Sequence, residues 1–361
     1  MLKYDFFNQI YFIVILYYGV IMKSKKKYVF SILFFILLFV ATFYLLFSNN
    51  DINSVITTLK TIPIAHISIC ILLVFIYLFV EAIYIKITLN SLGNKFNLWQ
   101  GFLSACTEFY FSAITPSSTG GQPAQAYYMS KDGIPYTKST IALLVNTITF
   151  KVIIILMGII SMIFFPTLIF KNGILFTVLF LFGIIGNFLL IILCLMLMYS
   201  KRWIEAIAIF FIKLGNKLHI IKDKENAINK FNTHLSEYQQ SAKYIKDNVG
   251  IAIKVCILTI IQRLALFSIS VVIYKAFGLN EYSFLQLIVL QIGITLAIDS
   301  VPLPGGIGIG EAMMLLIYKK IFGENLAVSA MLLNRGISYY FCLIISSIFV
   351  LYNHIRATLK K

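Results

Sequence analysis

Six ionisable side chains fall inside apolar runs of this sequence: Glu108, Lys151, Arg263, Asp299, Glu311 and Arg335. A charge held at membrane depth is costly and marks function by default. Arg263 and Arg335 suit a phosphate, because a guanidinium matches phosphate oxygens in bidentate fashion. Glu108, Asp299 and Glu311 suit a cationic head group, or balance those arginines. Lys151 is the weaker candidate, since its long stem can snorkel within a bundle. The competing reading is a set of internal ion pairs that only hold helices together.

The backbone near these residues is unusual. Pro302 to Glu311 reads Pro-Leu-Pro-Gly-Gly-Ile-Gly-Ile-Gly-Glu, with two prolines and four glycines in ten residues. No helix continues through such a stretch. Irregular backbone at membrane depth must be buried in protein or line a wet cavity. An earlier stretch, Thr115-Pro116-Ser117-Ser118-Thr119-Gly120-Gly121-Gln122-Pro123, has the same character. Helix starts after both breaks would offer backbone N–H donors to an anion. Candidate substrate contacts are therefore Glu108, Pro116, Gly120, Gly121, Gln122, Arg263, Asp299, Pro302, Pro304, Gly305, Gly306, Glu311, Asn334 and Arg335.

Signals of catalysis are absent from the sequence. Gly306-x-Gly308-x-Gly310 lacks the spacing and βαβ context of a dinucleotide fingerprint, and no Walker-type Gly-Lys-Ser/Thr occurs. His66, His219, His234 and His354 are scattered without metal spacing. No serine sits in a GxSxG elbow. Ser117, Ser118 and Thr119 read as turn residues rather than nucleophiles. Cys70, Cys106, Cys194, Cys256 and Cys342 lie in or beside apolar segments with no CxxC pair, which predicts neither disulfides nor a metal site. No cofactor and no catalytic residue are expected.

Composition gives the fold class. Of 361 residues, 60% are hydrophobic and 12% charged; the mean hydropathy is +0.90. That excludes a soluble domain and predicts an all-α, polytopic helical membrane protein. The net charge of +16 fits loops that face anionic lipid heads, and no basic domain stands clear of the membrane to bind nucleic acid.

Full spans are expected at 28–47, 63–85, 139–165, 173–199, 250–277 and 326–352, about six in all. Residues 48–61 and 122–138 read as polar loops, and Glu81 and Lys86 are close enough in sequence to pair. Segments 96–114 and 282–300 run up to the two breaks. In 201–249, Trp203, Ile207, Phe210, Leu214 and Leu218 recur at helical spacing, as in an amphipathic helix on the bilayer or packed on the protein. Residues 1–22 read as an interfacial extension or a misassigned start ahead of Met22, with 23–361 one integral membrane domain.

The breaks also align with each other. With Pro116 on Pro302, Gln100 falls on Gln286 and Phe96 on Tyr282; after a two-residue gap, Asn146 falls on Asn334. This is an internal repeat of about fifty residues, 96–146 and 282–334. Basic residues at 23–27, 86, 95, 131, 138, in 201–249 and in the tail place both termini in the cytoplasm. The two broken segments then enter from opposite faces as re-entrant hairpins, so the repeat is inverted, with a site near the midplane. Lys319 and Lys320 fall outside in this scheme, against the rule.

The run Glu108-Phe-Tyr-Phe-Ser-Ala-Ile-Thr-Pro-Ser-Ser-Thr-Gly-Gly-Gln-Pro123, then Ala126-Tyr127, resembles a signature of the lysylphosphatidylglycerol synthase transmembrane-region family. Asp299 to Glu311 and the later Asn334-Arg335 resemble its second signature, and the resemblance covers roughly 24–355. It implies the membrane half of multiple peptide resistance factors, which flips aminoacylated phosphatidylglycerol, with a separate soluble domain transferring lysine from lysyl-tRNA. The sequence reaches Lys361 just after its last span, so that acyltransferase domain is not expected here.

The resulting expectation is a flippase-like transporter in the cell membrane, moving phosphatidylglycerol-type or aminoacylated phospholipid. A phosphatidylglycerol lysyltransferase and a secondary transporter of a small anion are the alternatives. Expected partners are a membrane phospholipid, anionic or aminoacylated, with room for a separate soluble synthase subunit and a homodimer.

Overall fold

A computed structural model describes residues 52–115, 118–206, 224–299, 301 and 303–359. The expected first span at 28–47, the 1–22 extension, Pro116, Pro302 and the stripe from Ile207 to Leu218 lie outside the described residues. The helices are α1 (Ile52–Lys60), α2 (Ile64–Ser91), α3 (Leu98–Ile114), α4 (Gly121–Lys131), α5 (Tyr136–Phe164), α6 (Pro166–Phe170) and α7 (Ile174–Tyr199). They continue with α8 (Lys224–Asp247), α9 (Val249–Ala276), α10 (Phe284–Asp299), α11 (Ile309–Phe322), α12 (Glu324–Arg335) and α13 (Cys342–Leu359). A π-helical segment, Gly336–Phe341, joins the last two into one long rod.

Among the described residues, five helices are long and apolar enough to cross a membrane: α2, α5, α7, α9 and the rod Glu324–Leu359. They fall on five of the expected spans. The protein is an all-α, multi-pass membrane protein.

The polar stretches hold more helix than expected. Residues 48–61 contain α1, which packs on α12 with Val55 buried. Its Ile52, Val55, Ile56 and Leu59 recur at helical spacing, a stripe that the intervening polar residues hide. Residues 122–138 contain most of α4, which folds back along α3. In the 201–249 segment, Leu235, Tyr238, Ala242 and Ile245 of α8 are buried, and α8 packs on α5, α7 and α9. Helix α8 thus lies on the protein, tied by the Tyr238 hydroxyl donating to the Leu197 carbonyl at 2.7 Å, while Trp203 is exposed.

The core is a pair of antiparallel helices, α2 and α9. Cys70 faces the Ile269 carbonyl, and Gln262 donates toward the Tyr77 carbonyl, so the pairs run in opposite senses. On each helix hangs a broken hairpin, α3–α4 on one and α10–α11 on the other. Both first arms start with the same reciprocal cap. Asn97 accepts from the Gln100 amide and Gln100 returns to the Asn97 amide, at 2.8 and 2.9 Å. Ser283 and Gln286 repeat the device at 3.3 and 2.8 Å. The arms have 17 and 16 residues, so each is roughly 25 Å long at 1.5 Å per residue. Each lies antiparallel to the third helix of the other half: α3 along α13 (Trp99 near Tyr352, Phe102 near Phe349), and α10 along α5.

The close approach of α7 to α10 depends on one glycine. A Cβ on Gly183 would overlap the Leu296 backbone, whereas Gly186, one turn along, has open space. Gly183→Ala should therefore lower the thermal unfolding temperature of the detergent-solubilised protein, losing about 1–3 kcal/mol by overpacking. Gly186→Ala should leave it equal or raise it, because alanine is the better helix former.

Candidate functional site

Each break is held by a different chemistry. At the first, Thr115 and Ser112 on the last turn of α3 supply hydroxyls. The Gly120 amide donates to Thr115 Oγ1 at 2.9 Å, and Ser112 Oγ bonds Glu108 Oε1 at 2.8 Å and lies 3.2 Å from the Ser118 carbonyl. Gly121 is where α4 closes on α3, since a Cβ there would lie 2.8 Å from the Glu108 carbonyl. Gln122 Nε2 donates to Thr147 Oγ1 of α5.

At the second break the tie is ionic. Arg335 Nε donates to Glu311 Oε1 at 2.7 Å, and the two side chains are only 9% and 3% exposed. Glu311 Oε2 accepts from the Gly308 amide at 2.7 Å, and an outer Arg335 nitrogen donates to the Gly305 carbonyl at 3.2 Å. Pro304 opens a short 3₁₀ turn ending at Gly306, with Gly305 and Gly306 both at positive φ. The N–H groups of Gly120 and Gly308 are thus used internally, not left open to an anion. Asn334 likewise binds Ser270 Oγ at 2.7 Å and accepts from Ser338 at 3.2 Å.

Two of the ties that cross between the halves occupy matching places. Lys151 on α5 reaches Asp299, the last residue of α10, at 3.1 Å. Tyr339, in the π segment, donates to the carbonyl of Ala113 near the end of α3, at 3.2 Å. In the register that places Pro116 on Pro302, Ala113 matches Asp299; in the register of Asn146 on Asn334, Lys151 matches Tyr339. Each half therefore clips the other just before its break. Tyr339 is itself braced by the Arg335 guanidinium, 4.5 Å from its ring centre.

The remaining charges gather around Arg263, at the middle of α9. Its guanidinium lies 5.3 Å from the ring centre of Tyr77 on α2 and 4.2 Å from that of Phe150 on α5. Lys151 sits against the same Phe150 ring at 4.8 Å. Arg263 donates to Gln262 Oε1 at 3.2 Å, while its Nε is buried and has no partner among the described residues. Glu81 and Glu108 lie within electrostatic reach. Glu81 is buried and bonded to Gln262 Nε2 at 3.0 Å, with Gln125 Nε2 at 3.4 Å. Arg263, Glu108, Phe150 and Lys151 are half-buried in mid-helix rather than sealed in the core.

The predicted residues thus separate into two groups. Glu108 and Gln122 lie on the hairpin beside Arg263. Asp299, Gly305, Gly306, Glu311, Asn334 and Arg335 belong to the second break and its ties. Glu81 does not pair with Lys86; five residues apart on a helix, the two point to different faces. Sequence reasoning missed Tyr77, Phe150, Glu81 and Gln262. The repeat register does hold one signal for Tyr77, which occupies the position matching Arg263.

These features define a polytopic membrane protein with two broken hairpins and a charged site at the depth where they meet. The sequence matches the model of the lysylphosphatidylglycerol synthase TM region over residues 28–346, and the chain belongs to that family. A relative described as "UPF0104 membrane protein", from the archaeon Archaeoglobus fulgidus, is 25% identical over 292 residues, covering 78% of this chain and 84% of the relative. No solved structure matches. The family ties this membrane protein to lipid handling.

The Glu311–Arg335 pair should behave as structure. Arg335→Met, which strands a buried carboxylate, should cost about 3–5 kcal/mol, and Glu311→Leu/Arg335→Met markedly less. Thermal unfolding of the two variants in detergent compares them. Lys151→Met, at a more accessible pair, should cost about 1 kcal/mol or less.

Proposed function

We propose that this protein is a flippase-like transporter that moves a phosphatidylglycerol-type or aminoacylated phospholipid between leaflets, with Arg263 holding the lipid phosphate. The observation that carries the reading is the setting of Arg263. Two aromatic rings cover its guanidinium and leave the in-plane N–H edge for an acceptor, with Nε buried and unpartnered among the described residues. A phosphate diester fits that edge in bidentate fashion. The residue is central in a 28-residue helix, so it sits near mid-membrane, where a head group in transit needs a counter-charge.

The two hairpins support passage through the membrane. The described peptide groups of Ser118, Gly120, Gly305 and Gly308 at the breaks bond within the protein, so the space beside them can be polar without exposing those groups to lipid. Glu108, bonded to Ser112 at one oxygen, is the acid best placed to meet a cationic group on the same lipid. Asp299 and Glu311 are committed to Lys151 and Arg335.

The test is the full chain in vesicles containing fluorescent phosphatidylglycerol, with outer-leaflet probe quenched by an impermeant reductant. Wild type should expose inner-leaflet probe. Arg263→Gln should slow that exposure at least tenfold, and Arg263→Lys should not rescue it, because an ammonium has no planar edge to offer. Equal rates for wild type and Arg263→Gln would sink the reading. In cells, loss of total aminoacyl lipid on deletion, rather than of its outward exposure, would point instead to lysyl transfer.

We further infer that the protein lies in the cell membrane with both termini cytoplasmic, on the strength of its lysine and arginine distribution. In a background lacking the five native cysteines, Glu281→Cys should react with an impermeant maleimide on intact cells, and Lys131→Cys only after lysis. The reverse pattern would invert the topology.

A further inference from the structure

Asn146 and Asn334 occupy matching positions in the two halves, on α5 and α12. Their side chains fare differently. Asn334 has a donor partner in Ser338 and an acceptor in Ser270. Asn146 has neither: its amide nitrogen and oxygen are both buried and without a hydrogen-bond partner among the described residues. The reason lies in the sequence. In the register of the repeat, Ser338 is replaced by Phe150 and Ser270 by Tyr84. Phe150 has no hydroxyl, and that of Tyr84 is engaged by Glu81, so neither of the groups that satisfy Asn334 has a counterpart bonded to Asn146.

The position is significant. Asn146 lies one turn before Phe150 on the same face of α5, and Phe150 carries the Arg263 guanidinium on its ring. Arg263 Nε is likewise buried and without a partner among the described residues. A buried amide, one helical turn from the ring that faces Arg263, and a buried guanidinium nitrogen on that ring's far partner are both unmet, and unmet buried polar groups call for a partner. The two orphans call for different groups. Arg263 offers donors alone, which suits a phosphate. Asn146 offers a donor and an acceptor together, which a phosphate cannot satisfy and an ammonium cannot either. A hydroxyl does both.

We infer that Asn146 is a specificity-determining residue, its amide reading the hydroxyls of a phosphorylated polyol whose phosphate sits on Arg263. This rests on the head-group reading above and names the ligand class more narrowly: a phosphodiester bearing a hydroxylated head group, either on a lipid or free. Lipids with the same phosphodiester but an apolar alcohol would leave the amide unmet and bind less well.

The experiment compares binding of phosphatidylglycerol with that of phosphatidylpropanol, which has the same phosphodiester and no head-group hydroxyl. The full chain is placed in nanodiscs of neutral lipid doped with either one, and soluble glycerophosphoglycerol is added as competitor. Wild type should favour phosphatidylglycerol at least tenfold. Asn146→Leu, nearly isosteric and with no polar atoms, should bind the two lipids alike. Competition by glycerophosphoglycerol would assign the free polyol phosphate as a ligand too; no competition would restrict the site to the lipid. Without added lipid, Asn146→Leu should unfold no earlier than wild type, since it removes two unsatisfied buried atoms. Earlier unfolding would make the amide structural and overturn the inference. So would equal binding of both lipids by wild type, while leaving the phosphate site standing. Wild type that binds neither lipid above neutral background would remove the head-group reading and this inference with it.

Discussion

A helix broken inside a membrane leaves peptide groups that no solvent will satisfy, and this protein does so twice. Everything else about its architecture follows from how those groups are met. Water is scarce there, and an unmet N–H or C=O costs several kcal/mol in hydrocarbon, on the order of a typical buried-group penalty. The first break closes with hydroxyls from Thr115 and Ser112. The second closes with a buried carboxylate, Glu311, which takes the Gly308 amide on one oxygen and Arg335 on the other. Arg335 then returns to the Gly305 carbonyl. Charge at the second break is the means of holding irregular backbone, and the salt bridge need add nothing to net stability to be indispensable there.

The ends of the broken arms also tie the halves together, beyond the packing of α2 on α9. Tyr339, pressed on by Arg335, reaches the Ala113 carbonyl; Lys151, in the matching place, reaches Asp299. The same geometry is thus realised once as a neutral hydrogen bond and once as an ion pair. The neutral tie is covered, the ionic one more accessible, with Lys151 and Asp299 at 16% and 27% exposure. Screening and competing anions act on the second far more than on the first. The symmetry of the backbone therefore does not extend to its responsiveness, which lies on the side of Lys151, beside Arg263 and Phe150.

Much of this was legible in the sequence, and the parts that were not have a common cause. The spans were readable because a run of about twenty apolar residues suits the bilayer interior and little else. The breaks were readable because proline and glycine act locally. The family resemblance rested on those same breaks. Pairings were not readable: Glu311 with Arg335, and Lys151 with Asp299, are fixed by how helices far apart in sequence come together. Glu81 illustrates the limit. Proximity to Lys86 suggested a pair, but five residues turn the helix past its partner, and the carboxylate is bonded instead to Gln262 and Gln125 from other helices. The stripe in α1 was missed because threonines and a serine dilute it.

The repeat register also accounts for the partner of Arg263. In an arrangement related by a two-fold axis, the residues nearest that axis face their own counterparts, so the partner of Arg263 on α9 is the matching residue on α2, Tyr77. An arginine facing another arginine there would be repelled, and an acid would form a closed pair with no capacity for ligand. An aromatic ring is the partner that stabilises the cation while leaving its hydrogen-bonding edge free. The two similar frames differ at a few positions, Tyr77 against Arg263, Phe150 against Ser338, Asn146 against its satisfied twin Asn334, and those differences are what set an arginine between two aromatic rings with an unmet amide one turn away.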